Sequence, residues 1–198
     1  MIVELRQYAL HPGRREDLIT LFDREFVESQ EALGMTVLGQ FRDVRRPDAF
    51  VWLRGFPDLP ARAEALAAFY GGPVWAEHKA EANATMAAFD DVLLLSPVTP
   101  LPAGARDTGE PSSRLVATIH LAAEPWTTFP EPDAPVLAAF TTLYAENNFP
   151  ALPIREGVHA YVWLTRFDTQ AGAEKFLEGR QVGEQTLLLA PTSRSGMR

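Results

Sequence analysis

Glu4, Arg6 and Tyr8 alternate along the apolar run IVELRQYAL, and Trp52 and Arg54 alternate along AFVWLRGF, Ala49 to Phe56. On an extended strand, residues two apart share one face. A guanidinium, a phenol and an indole on one face suit a flat apolar ligand, held by stacking and oriented by one or two hydrogen bonds. Nearly the same octapeptide recurs as AYVWLTRF, Ala160 to Phe167, adding Tyr161 and Trp163. The run LVATIHLA repeats the first strand and sets Val116, Thr118 and His120 against Glu4, Arg6 and Tyr8. The even positions of Met35 to Asp43 are Thr36, Leu38, Gln40 and Arg42. The candidate ligand-binding set is therefore Arg6, Tyr8, Gln40, Trp52, Arg54, His120, Tyr161 and Trp163. The competing reading is a packed core, in which Glu4 and Arg6 neutralise each other and the aromatic rings interdigitate. A one-residue shift in alignment would exchange the two faces.

Two histidines are candidate catalytic groups. His78 falls on an apolar stripe with Trp75, Ala82, Met86 and Phe89, at helical spacings of three and four. An imidazole there suits a general base or an axial haem ligand, and the plainer reading is a hydrogen-bonded, inert side chain. Asn83, at i+5 and off that stripe, is the candidate orienting partner of His78. His120 is the second candidate. The four histidines, His11, His78, His120 and His159, are far apart, so no metal site is expected from their spacing. The chain contains no dinucleotide-binding glycine fingerprint, phosphate-binding loop, nucleophile elbow or zinc-protease motif. Tyr70-Gly71-Gly72-Pro73 reads as a helix stop and a turn.

Composition narrows the partners. An apolar fraction of 46% over 198 residues fills a real core. Eighteen basic against 26 acidic side chains give a net charge of −8 with no basic block, which argues against a nucleic acid or an anionic membrane surface. Cysteine is absent, so thiolate chemistry and disulfides are excluded, and a reducing compartment fits. Glu4 and Arg6 break any signal-peptide core and no segment approaches ~18 apolar residues, so the expected location is the cytoplasm.

The elements that must position these residues come in two copies. The first reads strand, helix, strand, strand, helix, strand: Ile2 to Leu10, Arg14 to Leu33 ending at Gly34, Met35 to Asp43, Phe50 to Phe56, a helix from the Asp58 cap to Gly71, and Asp91 to Ser96. The second copy should repeat this, with a helix from Pro135 through Tyr144 and an edge strand ALPIREG carrying Pro153. It lacks the segment Pro73 to Phe89, read as an added helix. SPVTPLPAGARDTGEPSSR between the copies is a linker by composition. Residues 1–97, 98–113 and 114–198 thus form repeat, linker and shorter repeat. The fold class is α+β: two tandem ferredoxin-like (βαββαβ) repeats whose antiparallel sheets pair into one barrel within the chain. The aliphatic faces are expected to meet the helices, and the aromatic faces to meet each other across the barrel.

The words VELRQYALHPGRREDL, EALGMTVLGQFRD, FVWLRGF, ARAEALAAFYGGPVWAEHKAEANATM and VLLLSP, followed by NNFPALPIREG and YVWLTRF, resemble a bacterial member of the NIPSNAP family. The resemblance spans nearly the whole chain and is densest from Val3 to Pro97. It implies the dimeric α+β barrel fold and carries over no catalytic residue. The wider superfamily includes cofactor-free monooxygenases, small isomerases and haem enzymes, a spread of chemistries that fold alone does not narrow. A site using the added helix should be single and asymmetric.

Two functions follow. The barrel binds a small apolar or aromatic ligand between its sheets, with cofactor-free oxygenation or isomerisation as the accompanying chemistry. Alternatively, it is a non-catalytic assembly module, a homo-oligomer included, using edge strands and the added helix. No cofactor is required by either, and haem enters only through the family.

Overall fold

The computed structural model describes residues 1–102, 106, 109–178 and 185–198; part of the expected linker therefore lies outside the described residues. The first repeat runs β1 (Ile2–Leu10), α1 (Arg15–Leu21), one π-helical turn (Phe22–Phe26), α2 (Val27–Glu31), β2 (Thr36–Asp43), β3 (Ala49–Phe56), α3 (Leu59–Tyr70), α4 (Pro73–Asn83) and β4 (Met86–Pro97). The second runs β5 (Arg114–Ala122), β6 (Ala138–Thr142), β7 (His159–Phe167), α5 (Gln170–Glu178) and β8 (Gln185–Pro191). The strands close into one antiparallel barrel in the order β1-β3-β2-β8-β5-β7-β6-β4. Each repeat keeps the ferredoxin-like order, β4-β1-β3-β2 and β8-β5-β7-β6, and the two sheets are sewn together at β2/β8 and β4/β6.

Local chemistry sets several boundaries. Gly34 ends the first helical stretch at φ 83°, a left-handed turn that glycine adopts without a Cβ penalty. Asp58 caps α3, its Oδ1 accepting the Ala61 amide at 2.9 Å. Asp58→Ala should lower stability by about 1 kcal/mol, read as a shift in the urea midpoint.

The faces are arranged opposite to the expectation. The barrel interior is filled by Val3, Leu5, Val51, Leu53, Leu93, Leu95, Leu115, Ala117, Phe140, Val162, Leu164, Leu187 and Leu189, and the aromatic faces of β3 and β7 point outward beneath helices and loops. An eight-stranded barrel is just wide enough for side chains to fill. Val, Leu and Ala fill it without orphaned polar atoms, while charged side chains need partners that only the covering layers supply. A ligand site between the sheets is therefore ruled out. A register shift between Val37 and Gly39 also turns Leu38 inward, so it leaves the even set of β2.

Four further expectations need correction. Pro135 to Tyr144 is not a helix: Pro125, Pro130, Pro132 and Pro135 crowd its approach, and Ala138–Thr142 is strand β6, held between β4 and β7. Leu137, Phe140 and Tyr144 have the spacing of a helical face there. Residues 151–157 form no strand; they return as part of the loop 143–158, Arg155 donating its amide to Val92 O at 2.8 Å. The added helix stops at Asn83, and Met86 and Phe89 belong to β4. Finally, every strand has a neighbour on both sides, so edge-strand association has no free edge to use. Among the described residues no helix is long and apolar enough to cross a membrane.

Candidate functional site

Glu4 on β1 and Arg54 on β3 are direct cross-strand partners, and Arg6 faces Trp52 two positions along. All three side chains point from the barrel into the layer beneath α1–α4. There Glu4 Oε2 accepts from Arg6 Nη1 and from Arg54 Nε, each at 2.8 Å, and Oε1 accepts from Arg62 Nε of α3 at 2.7 Å. All four residues have zero solvent exposure. Burial alone would raise the Glu4 carboxyl, and the guanidiniums of Arg54, Arg6 and Arg62 outweigh it, holding the group at about 2.

The remaining guanidinium protons go to neutral acceptors. Arg6 Nε donates to the Tyr8 hydroxyl at 2.9 Å and Arg54 Nη1 to Gln30 Oε1 at 3.1 Å. Arg62 Nη1 reaches Asn148 Oδ1 at 2.6 Å and Asn147 Oδ1 at 3.2 Å, both from the second repeat. The π-helical turn fits here: Gln30 Nε2 ties to Phe26 O at 2.7 Å, and Phe22 packs edge-on to Trp52 at 4.8 Å.

Above this cluster lies a cavity of about 310 Å³ lined by Tyr8, Tyr70, Trp75, Asn83, Met86, Phe89, Phe149, Ala151 and Leu152. A smaller void of about 40 Å³ shares Tyr8, Tyr70, Trp75 and Met86 with it and reaches Trp52 and Gln30. Phe149 stacks on Tyr70 at 6.1 Å, so the loop 143–158 roofs the cavity. Asn148 Nδ2 fastens that roof to Leu59 O at 2.6 Å, and Asn147 Nδ2 holds Leu152 O at 2.8 Å. Burial pushes the Tyr8 phenol up, partly opposed by Arg6, so Tyr8 is a neutral hydroxyl near pH 7.

The eight ligand-binding candidates divide into three groups. Arg6, Tyr8, Trp52 and Arg54 come together at this site. Gln40 lies apart, its Nε2 donating to Asp23 Oδ1 at 3.1 Å, where burial pushes the Asp23 carboxyl up to about 6. His120, Tyr161 and Trp163 form the equivalent face of the second repeat, His120 stacked on Trp163 at 4.5 Å and Phe129 on Tyr161 at 4.4 Å. The loop 123–137 covers that face in place of a helix. Of the catalytic candidates, His78 sits outside the cavity, beside Phe26 and 3.6 Å from Glu25, and His120 is in the other half. Tyr70, Phe149 and Leu152 escaped the sequence reading as site residues, and Asn83, considered only as an orienting partner of His78, lines the cavity. NNFP read as a helix stop, and Tyr70 as part of a turn.

The sequence profile of the NIPSNAP family matches residues 3–99, the half that carries Glu4, Arg6, Tyr8, Arg54, Arg62 and α4. Residues 3–99 are a NIPSNAP domain. Two solved structures share the whole tandem architecture of this chain. A proposed monooxygenase from Fusobacterium nucleatum is 10% identical with a TM-score of 0.59, covering 96% of this chain and 91% of its own. One from Lactobacillus acidophilus is 10% identical with a TM-score of 0.55, covering 96% and 93%. A NIPSNAP domain protein from Burkholderia xenovorans is 17% identical with a TM-score of 0.46, covering 52% of this chain and 99% of its own. No curated protein sequence matches the chain. The Fusobacterium and Lactobacillus structures share the fold, and the half matched by the NIPSNAP profile holds most of the cavity wall.

Proposed function

We propose that this NIPSNAP protein binds a small aromatic molecule in the cavity between the first sheet and α3, α4 and the loop 143–158. The observation that carries the reading is a ring of five aromatic side chains, Tyr8, Tyr70, Trp75, Phe89 and Phe149, around a cavity of about 310 Å³. That size and lining match a small-molecule site. Tyr8 adds a hydroxyl whose oxygen is already occupied by the Arg6 Nε proton, leaving its own proton for the ligand. Isomerisation and cofactor-free oxygenation both pass through an enolate-type oxygen on the ligand, and the Tyr8 hydroxyl is a hydrogen-bond donor suited to stabilise it.

Haem does not fit this arrangement. Neither His78 nor His120, the two imidazoles considered as axial ligands, borders the cavity. The assembly reading has lost its edge strands and keeps only outer surfaces such as that of α4. Leu152→Trp fills the cavity from its roof. It should weaken binding of methyl 2-naphthoate, followed by tryptophan fluorescence, at least tenfold while leaving the urea midpoint nearly unchanged. Equal binding by the variant would remove the cavity as the site.

A further inference from the structure

The charge beneath the cavity does not balance. Three guanidiniums, Arg6, Arg54 and Arg62, share the single carboxylate of Glu4, and both Glu4 oxygens are already engaged. Their other acceptors are a phenol and three side-chain amides, all neutral. Two net positive charges thus remain at a site of zero exposure. Buried charge is tolerated when it is paired, and an excess of this kind favours any anion that can approach it. Nη2 of Arg6 and of Arg62 have no hydrogen-bond acceptor although buried.

The excess faces the cavity through aromatic groups. The Arg6 guanidinium lies 5.5 Å from the centre of the Tyr8 ring and 5.7 Å from that of Trp52, and both rings line the small void behind the main cavity. Tyr8 joins the two spaces. Its oxygen accepts from Arg6, and its own proton has no acceptor among the described residues. A hydroxyl polarised in this way by a cation donates best to an anionic oxygen.

Resting on the small-molecule reading above, we propose that the ligand is an aromatic anion: a ring system carrying one ionised oxygen, as carboxylate or enolate, set against the Tyr8 hydroxyl with Arg6 behind it. The apolar part of the ligand lies between Trp75, Phe89 and Phe149. The anionic oxygen relieves the unbalanced charge that the fold itself leaves unpaired.

The test compares 2-naphthoate with its methyl ester and with naphthalene on the full chain, by tryptophan fluorescence and by the rise in denaturation midpoint on binding. Naphthoate should bind about ten- to hundredfold tighter than the ester, the range expected for a hydrogen bond to a charged group. Tyr8→Phe should shrink that preference to within about threefold, read as the ratio of the naphthoate and ester affinities. If the ester or naphthalene binds as well as naphthoate, the anion proposal fails and the aromatic pocket stands. If none of the three binds, the pocket reading fails first. Should Tyr8→Phe prove unstable, the wild-type comparison alone decides between these outcomes.

Discussion

Glu4→Gln is expected to destabilise the folded chain by about 3–5 kcal/mol, the usual consequence of removing one partner from a buried ionic cluster. The substitution keeps shape and volume and removes only charge, so it leaves Arg6, Arg54 and Arg62 facing one another without a counterion. The pH dependence gives an independent check. Glu4 titrates at about 2 when folded, against the usual 4.5. A depressed carboxyl contributes stability that is fully present above the unfolded value and is lost as pH falls through the folded one. The wild type should therefore lose about 3 kcal/mol between pH 4.5 and 2 through this group alone, and Glu4→Gln should lose that part of the acid limb. Urea unfolding across that range measures both. A variant within about 1 kcal/mol of wild type at pH 7 would mean that the three guanidiniums are held by something other than Glu4.

Phe140→Ala is expected to cost about 3–5 kcal/mol by leaving a void in the barrel interior. Phe140 lies on β6, fully buried, at the point where the second repeat is sewn to β4. Its neighbours there come from strands on several sides, so the wall cannot collapse inward without disturbing the seam. Val136→Ala, two residues before the strand and exposed, should change stability by less than about 0.5 kcal/mol. If the Phe140 variant were as mild, the barrel interior would not be the packed core described above.

The repeat was the most legible feature of the sequence. The pairing Glu4 with Arg54, Arg6 with Trp52 and Tyr8 with Phe50 in one half matches Val116 with Thr165, Thr118 with Trp163 and His120 with Tyr161 in the other. Strand β1, the Asp58 cap and the turn at Gly34 were also legible, because each rests on local chemistry: alternation, a side-chain acceptor and a left-handed φ. Which face of β3 turned inward was not. Both faces of that strand are buried, so alternation separates two sets without ordering them. The deciding fact is non-local: Arg62 and Gln30, the partners of Glu4 and Arg54, sit on helices. The roof of the cavity was illegible for the same reason, since Phe149 and Leu152 reach it from a loop 140 residues and more along the chain from Tyr8. The strand β6 was misread because Leu137, Phe140 and Tyr144 have helical spacing, while the seam with β4 that makes the segment extended is a tertiary contact.

The loss of charge in the second repeat has a consequence for stoichiometry. A barrel built from two identical halves would present two equivalent clusters, and occupancy of one would bear on the other. Here the second-repeat equivalents of Glu4, Arg6 and Arg54 are Val116, Thr118 and Thr165, and the second repeat contributes Asn147 and Asn148 to the first repeat's Arg62 instead. Duplication has thus been converted into a division of labour, in which one half keeps the charged floor and the other supplies its ceiling. On the proposed reading, an aromatic anion is expected to saturate the chain at one equivalent, with a simple hyperbolic isotherm.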